Sequence, residues 1–212
     1  MSREAHVQFC ERLGVRFPGA THPVLGFQHR DDAERFLEQL RERLGKFGLE
    51  LNSEKTRLIE FGRYAAERRK KRGQGKPETF NFLGFTHICG TSHQAGYFVV
   101  LRETIGKRMA AKLKEIKAQL QRRMHESTAD TLKWIQSVVR GYFRYHAVPG
   151  NEQRTRVFRK DVLRLWLRQL RRRSQRSRWT WERFRERLAV HIPFACVEHP
   201  YPNVRFDAKH PR

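Results

Sequence analysis

The sequence has few cysteines, no long apolar run and a shortage of acidic residues. Its three cysteines, Cys10, Cys89 and Cys196, are odd in number and far apart, which argues against a disulfide framework and favours a reducing compartment. No apolar run approaches the roughly 20 residues of a membrane-spanning helix, and the first residues lack the apolar core of a signal peptide. We therefore expect a cytoplasmic protein without a membrane partner. Nothing in the sequence indicates a homodimer, although one stays open.

The shortage of acidic residues leaves a large positive charge. Asp and Glu number 22 against 45 Lys and Arg, which gives a net charge of +23 over 212 residues. Residues 1–62 are neutral, whereas residues 63–125 hold 15 basic and 4 acidic residues, and residues 151–190 hold 14 and 4. Two separated basic blocks favour a polyanionic partner, above all the phosphate backbone of a nucleic acid.

Apolar periodicity predicts an α+β fold in which a small mixed part precedes a helical part. Residues 31–47 have helical spacing and stop before Gly48, where a helix-ending glycine is expected. We expect strands at residues 24–27, 49–52, 56–61, 80–89 and 96–103, the last two forming a hairpin. From residue 104 onward the spacing predicts helices near residues 105–124, 130–146 and 153–173, and a short one capped by Thr180.

Three other segments have weaker patterns. Residues 63–78 begin in a helix-compatible way but end in Gly, Gly and Pro, so we expect an exposed basic loop. Residues 191–212 contain several prolines and are expected to form an extended tail. Within residues 1–20 we expect a short helix that covers part of the neighbouring sheet.

Two groups of residues raise the question of a bound metal. Asp31 and Asp32 follow the strand VLGF, but they also open the next helix, where free N–H groups and the helix dipole favour carboxylates. His87, Cys89 and His93 suggest zinc, yet no Cys-x-x-Cys pair accompanies them and alternation along a strand explains the first two. We favour the structural interpretation in both cases and expect no metal and no cofactor.

Three motifs, in order, resemble the C-terminal portion of a group II intron reverse transcriptase/maturase. GLELNSEKT, from Gly48 to Thr56, is similar to the late palm block and makes Asn52 and Lys55 palm-motif residues. The sequence FNFLGF is similar to the block that holds the primer grip, which maps to Phe82, Leu83, Gly84 and Phe85. WIQSVVRGYFRYHAVPGN, at residues 134–151, is similar to the maturase-specific thumb domain.

The resemblance implies a partial palm subdomain, with short antiparallel strands and one packed helix, followed by an all-α thumb-like bundle. Residues 1–23 would be a divergent N-terminal segment, 24–103 the partial palm with a primer-grip-like hairpin, 104–190 the thumb-like domain, and 191–212 the tail. The implied partner is structured RNA, above all group II intron RNA, or an RNA/DNA duplex. The implied family activity is RNA-directed DNA polymerisation.

One departure from the family bears on that activity. Family members carry a Tyr-Ala-Asp-Asp type turn before the strand that Val24-Leu25-Gly26-Phe27 matches, and its aspartates hold two Mg²⁺ ions. Here Gly19-Ala20-Thr21-His22 occupies the turn, so that Thr21 and His22 replace the two aspartates. Neither side chain supplies anionic oxygens. We therefore expect no polymerisation by this chain alone, and a need for Mg²⁺ only if another chain supplies the aspartates.

Nucleic-acid contacts are expected from cations of both basic blocks. They are Arg68, Arg69, Lys70, Lys71, Arg72, Lys107, Arg108, Lys112, Arg140, Arg144, Arg164, Arg168, Arg171, Arg172, Arg173, Arg176 and Arg178. Seven aromatic residues are candidates for base stacking, although their helical spacing favours the core: Trp134, Tyr142, Phe143, Tyr145, Trp166, Trp179 and Trp181.

Three hypotheses about function follow. The leading one is an RNA-binding fragment that resembles an intron maturase and assists splicing at most. The second is one part of a split RNA-directed DNA polymerase whose fingers and remaining palm come from a separate chain. The third is a basic protein that binds polyanions without preference for RNA.

Overall fold

The computed structural model describes residues 5–8, 24–53, 55–92, 96–174 and 178–200, with side chains from residue 24 onward. The described chain is α+β, and it divides into two compact units, the first ending at Leu101 and the second starting at Arg102. Within the described residues, no helix combines the length and the apolar character that crossing a membrane requires.

The first unit contains a three-stranded antiparallel sheet with the order β2-β1-β3. Its strands are β1 (Ala5–Gln8), β2 (Val24–Phe27) and β3 (Arg57–Ile59). Helix α1 (Arg30–Gly45) packs on one face of the sheet, where its fully buried Ala33 lies among apolar side chains of β2 and β3. Gly48 has a φ of 68°, and the Leu49 N–H donates to the Leu44 carbonyl oxygen at 3.0 Å. The predicted glycine end of this helix is therefore confirmed.

A second sheet has the order β4-β5-β6, and its last strand begins in the first unit and ends in the second. Its strands are β4 (Phe80–Phe82), β5 (Phe85–Thr91) and β6 (Phe98–Thr104). Phe82 pairs with Phe85, so only Leu83 and Gly84 connect β4 to β5. Their φ angles of 45° and 82° are both left-handed, as a two-residue hairpin turn of type I′ requires. The single strand predicted at residues 80–89 is therefore a hairpin of its own.

Two further predictions for the first unit are wrong over the described residues, and a third is met in part. Residues 5–8 form the central strand of the first sheet rather than part of a helix. Residues 49–52 form no strand, because Asn52 builds a turn: its side-chain and main-chain oxygens both accept from the Lys55 N–H at 3.1 Å. The segment expected as a basic loop is one only over residues 72–79, because its helix-compatible start forms helix α2 (Ala65–Lys71), whose Arg68 and Arg69 pair with the distant Glu60 and Glu78.

The second unit is a helical bundle, as the periodicity predicts. Its helices are α3 (Gly106–Arg122), α4 (Thr128–His146), α5 (Glu152–Arg172) and α6 (Trp181–Arg187), and a 3₁₀ turn follows at Ala189–His191. The core contains the fully buried Trp166, Phe158 and Phe184. Thr180 caps α6 by accepting from the Arg183 N–H, which confirms the predicted cap.

Two side chains fix the ends of this bundle. Asn151 is fully buried, and its amide donates to the Thr104 hydroxyl at 2.8 Å and to the His146 carbonyl at 2.7 Å while accepting from the Thr104 N–H at 2.9 Å. Arg159, on α5, donates to the carbonyl oxygens of Ala189, Ile192 and Pro193 at 2.8–3.0 Å. Residues 193–198 are extended, in line with the predicted tail, and they run from this contact of Pro193 with α5 to Glu198, whose N–H donates to the Ala147 carbonyl at the end of α4 at 2.9 Å.

Candidate nucleic-acid interface

A surface groove runs between α3 and α5 in the second unit. Ile116 and Leu120 of α3 are buried in the core. Because these two residues face inward, the positions beside them on the helix lie at the edge of the contact between α3 and α5. The groove has a volume of about 540 Å³. It is lined by Leu113, Lys114, Lys117, Asp161, Arg164, Leu165 and Arg168. We call it the α3–α5 groove.

The cationic lining continues toward the C-terminal end of α5. Arg164, Arg168, Arg171 and Arg172 recur on neighbouring turns of α5, and together with Leu167 they line an adjoining depression of about 420 Å³. A narrower pocket that contains Lys117, Gln121 and Arg172 links the two helices there. The result is one basic strip about three turns of α5 long, and from here on the name α3–α5 groove includes these two adjoining pockets.

Few acidic groups neutralise this strip. Within the described residues, Asp161 is the one acidic side chain in the lining, and it pairs with Arg164 at 3.3 Å. Lys114, Lys117, Arg168 and Arg172 have no ion pair in that part of the chain, and all four are exposed. Exposed cations without internal partners keep their charge available for phosphate oxygens.

The remaining predicted cations of the second unit divide between structural and exposed positions. Arg173 donates to the carbonyl oxygens of Glu126 and Arg123 at 2.9 and 3.4 Å, so it holds a loop in place. Lys112 pairs with Glu115 at 3.0 Å. Lys107, Arg108, Arg140, Arg144 and Arg178 are exposed outside the α3–α5 groove, and Arg176 lies outside the described residues.

The basic run of α2 is largely paired inside the first unit. Lys71 pairs with Glu67 at 2.8 Å, Arg68 with Glu60 at 3.5 Å, and Arg69 with Glu78 at 3.6 Å. Arg72 also pairs with Glu60, whereas Lys70 is exposed. Four of the five consecutive cations are therefore paired with carboxylates, namely Glu67 directly before the run and Glu60 and Glu78 from other segments.

Most of the candidate stacking residues belong to the core. Trp166 and Phe143 are fully buried, Tyr142 stacks on Phe158 with ring centroids 3.5 Å apart, and Trp134, Trp179 and Trp181 pack against the same cluster. Tyr145 is 51% exposed, and its ring meets that of His146 edge-on. The core interpretation of these aromatics is confirmed, with Tyr145 as the exception.

The predicted palm and metal residues have local structural roles. Leu83 is 58% exposed at the tip of the β4–β5 hairpin, and Lys55 is exposed beside the Asn52 turn. Asp31 and Asp32 lie in the first turn of α1, as favoured, although His29 rather than an aspartate holds the N-cap position. The described residues contain no group of three or more His, Cys, Asp or Glu side chains placed to hold a metal ion.

His87 and Cys89 have structural neighbours. The His87 ring stacks on Phe80 with centroids 4.8 Å apart, and the Cys89 Sγ accepts from the Gly62 N–H at 3.4 Å. His93 and the turn of Gly19, Ala20, Thr21 and His22 lie outside the described residues.

Sequence reasoning missed Lys114 and Lys117, which face Arg164 and Arg168 across the groove. The sequence does place both lysines directly after the apolar positions Leu113 and Ile116 of α3, at the edge of its buried face. What the sequence does not reveal is which margin of α3 adjoins α5, because the order of helices around a bundle depends on contacts distant in sequence.

No family model matches this chain, and the curated proteins contain no match to it.

Proposed function

We propose that this chain binds nucleic acid, with structured RNA as the partner, through the α3–α5 groove. The observation that carries the proposal is the uncompensated charge of that groove, where Lys114, Lys117, Arg168 and Arg172 have no ion pair within the described residues. Cations spaced along one helix neutralise successive phosphates, and the counterions released from the nucleic acid drive association.

The choice of RNA rests on the sequence resemblance to group II intron maturases. On that basis the second unit corresponds to a maturase-like thumb and the first to a partial palm, and the partner is intron RNA or an RNA/DNA duplex. The proposed role is binding, with an assisting part in splicing, because Thr21 and His22 stand where the family has metal-binding aspartates. Polymerisation is assigned only to an assembly in which another chain supplies those groups.

A salt titration tests the proposal at the groove. The Arg168→Gln/Arg172→Gln protein is compared with wild type for binding to a labelled group II intron RNA fragment, from about 50 to 300 mM salt. We expect about tenfold weaker binding and a slope of log K against log salt that is reduced by about 2, because two phosphate contacts are lost. Both arginines are exposed and unpaired in the described chain, so the fold is retained.

The matched control removes the same charge elsewhere. Lys133 and Arg156 are exposed on α4 and α5 and do not line the groove, so Lys133→Gln/Arg156→Gln is expected to change affinity less than about twofold. Equal weakening by both double variants would contradict a defined site. Equal affinity of wild type for heparin and for intron RNA would favour the polyanion-binding alternative.

A further inference from the structure

A second basic cavity lies in the first unit, between α2 and β3. It has a volume of about 670 Å³, and Leu58 and Ile59 of β3 contribute apolar surface to it. Its polar lining consists of Arg30, Glu60, Arg68, Arg69, Lys71, Arg72, Gln74 and Glu78. Five cations and two carboxylates therefore face one space, which leaves the cavity with a net positive lining.

Glu60 is the acidic group on which several of these cations converge. Its two carboxylate oxygens pair with different side chains, Arg68 at 3.5 Å and Arg72, and its own side chain is only 21% exposed. The pKa of Arg30 is raised chiefly by a hydrogen bond to Glu34 and also by the Glu60 carboxylate. Glu60 thus occupies the position that an anion would take between Arg68 and Arg72.

Arg68 still has hydrogen-bonding capacity in this arrangement. Its Nε donates to the Tyr64 carbonyl at 3.4 Å and faces Glu60, whereas a terminal guanidinium nitrogen is buried without a hydrogen-bond partner. A guanidinium carries five N–H donors in a planar fork that suits phosphate oxygens. Because a buried donor without a partner is costly, turning the Arg68 guanidinium toward an anion in the adjoining cavity is favourable.

We propose that this cavity is a phosphate-binding site and that the Glu60 carboxylate competes with the phosphate for Arg68 and Arg72. A phosphate group presents more acceptor oxygens than a carboxylate and carries equal or greater negative charge. It therefore replaces Glu60 as the partner of the two arginines when it binds. Glu60 keeps the α2 arginines paired in the absence of ligand and sets the phosphate concentration at which the site fills.

The test uses the full-length protein and inorganic phosphate as the probe. The thermal midpoint is measured against phosphate concentration at constant ionic strength, with chloride as the balancing anion, because a ligand that binds the folded state raises the midpoint. The Glu60→Gln protein is expected to bind phosphate about three- to tenfold more tightly than wild type, since two partly exposed ion pairs no longer compete.

Glu38→Gln is the matched control. Glu38 is an exposed glutamate on α1 that does not line the cavity, so its replacement makes the same change in net charge without removing the competitor. Phosphate binding by Glu60→Gln that equals that of Glu38→Gln would overturn the inference. If Glu60→Gln does not fold, Arg68→Gln decides the matter: it is expected to lose the phosphate-dependent stabilisation, and retention would overturn the site.

The same variants titrated with RNA identify the source of the phosphate. A rise in RNA affinity for Glu60→Gln alone supports the site and assigns the phosphate to a nucleic-acid backbone. Unchanged RNA affinity with tighter inorganic phosphate binding supports the site and assigns it to a small phosphate compound. The inference does not rest on the α3–α5 groove, because the phosphate titration reports on the cavity of the first unit alone.

Discussion

Leu83 has an unfavourable backbone conformation for its residue type. Its φ of 45° lies in the left-handed region, next to Gly84 at 82°, at the tip of the β4–β5 hairpin. Glycine adopts this conformation freely, whereas a leucine there costs on the order of 1 kcal/mol. Asn-Gly is the sequence that such two-residue turns favour. A leucine that is 58% exposed at this tip therefore occupies a position where the backbone conformation favours asparagine or glycine.

Replacing Leu83 by Asn is expected to raise the free energy of unfolding by about 0.5 to 1 kcal/mol, because the turn strain is relieved. Urea unfolding of wild type and variant measures the change. Gly84→Ala provides the opposite case and is expected to lower stability by about 1 kcal/mol or more. A loss of stability in Leu83→Asn would show that the side-chain contacts of Leu83 outweigh the strain.

The junction of β6, α4 and α5 depends on a small buried polar network. Asn151 joins Thr104 of β6 to the last carbonyl of α4, and the Thr104 hydroxyl lies 3.3 Å from the His146 Nδ1. Burial lowers the pKa of His146 to about 4, and the positive charge of Arg108 adds to the shift. The imidazole is therefore neutral in the folded protein throughout the physiological pH range.

This shift makes stability depend on pH in one direction. The unfolded chain protonates His146 below its ordinary pKa of about 6.5, whereas the folded chain does so only near 4. The contribution of His146 to the free energy of unfolding is therefore complete above pH 6.5, and it is lost as the pH is lowered toward 4. We expect this histidine to contribute about 1 to 2 kcal/mol of that fall, allowing for its partial exposure.

Chemical denaturation at pH 7 and at pH 4.5 measures the effect. The His146→Gln protein lacks the titrating group, so its loss of stability between the two pH values is expected to be smaller by that amount. The same loss in both proteins would show that other groups account for the acid sensitivity.

For single helices and strands, the sequence predicted correctly those features that are determined by residues close together in the chain. The apolar spacing of α3 to α6, the Thr180 cap and the Gly48 helix end are each encoded within a few residues, and all are found in the structure. The strand expected at residues 49–52 failed because the Asn52 side chain turns the backbone. Helix α2 was anticipated only as a helix-compatible start to a basic loop, because Glu60 and Glu78, which pair with its arginines, come from other segments.

Across the whole molecule, the two units differ in how their basic residues are used. In the first unit, the arginines of α2 are paired with internal carboxylates, whereas in the second the cations of the α3–α5 groove include several without an ion pair among the described residues. The sequence predicted four groove arginines of α5, because a dense basic run is visible in one dimension. It did not separate paired from unpaired cations, since pairing requires contacts between distant segments.

A fragment of residues 102–212 is expected to fold by itself, because the core of the second unit is formed by residues of that range. Starting instead at residue 105 removes the Thr104 N–H and hydroxyl that satisfy the Asn151 amide, and it also removes the ion pair of Glu103 with Arg154. We expect the shorter fragment to lose about 2 to 3 kcal/mol. Urea unfolding of both fragments measures this, and equal stabilities would contradict the role given to Asn151.

The three carbonyl groups bound by Arg159 have a consequence for how the end of the second unit opens. A segment without regular structure normally frays independently of its neighbours and exchanges its amide hydrogens rapidly. Because one guanidinium on α5 holds Ala189, Ile192 and Pro193 together, detaching this segment exposes a partly buried charge that has lost its acceptors. Residues 189–193 therefore open together with the N-terminal half of α5, where Arg159 lies, as one cooperative unit of hydrogen exchange.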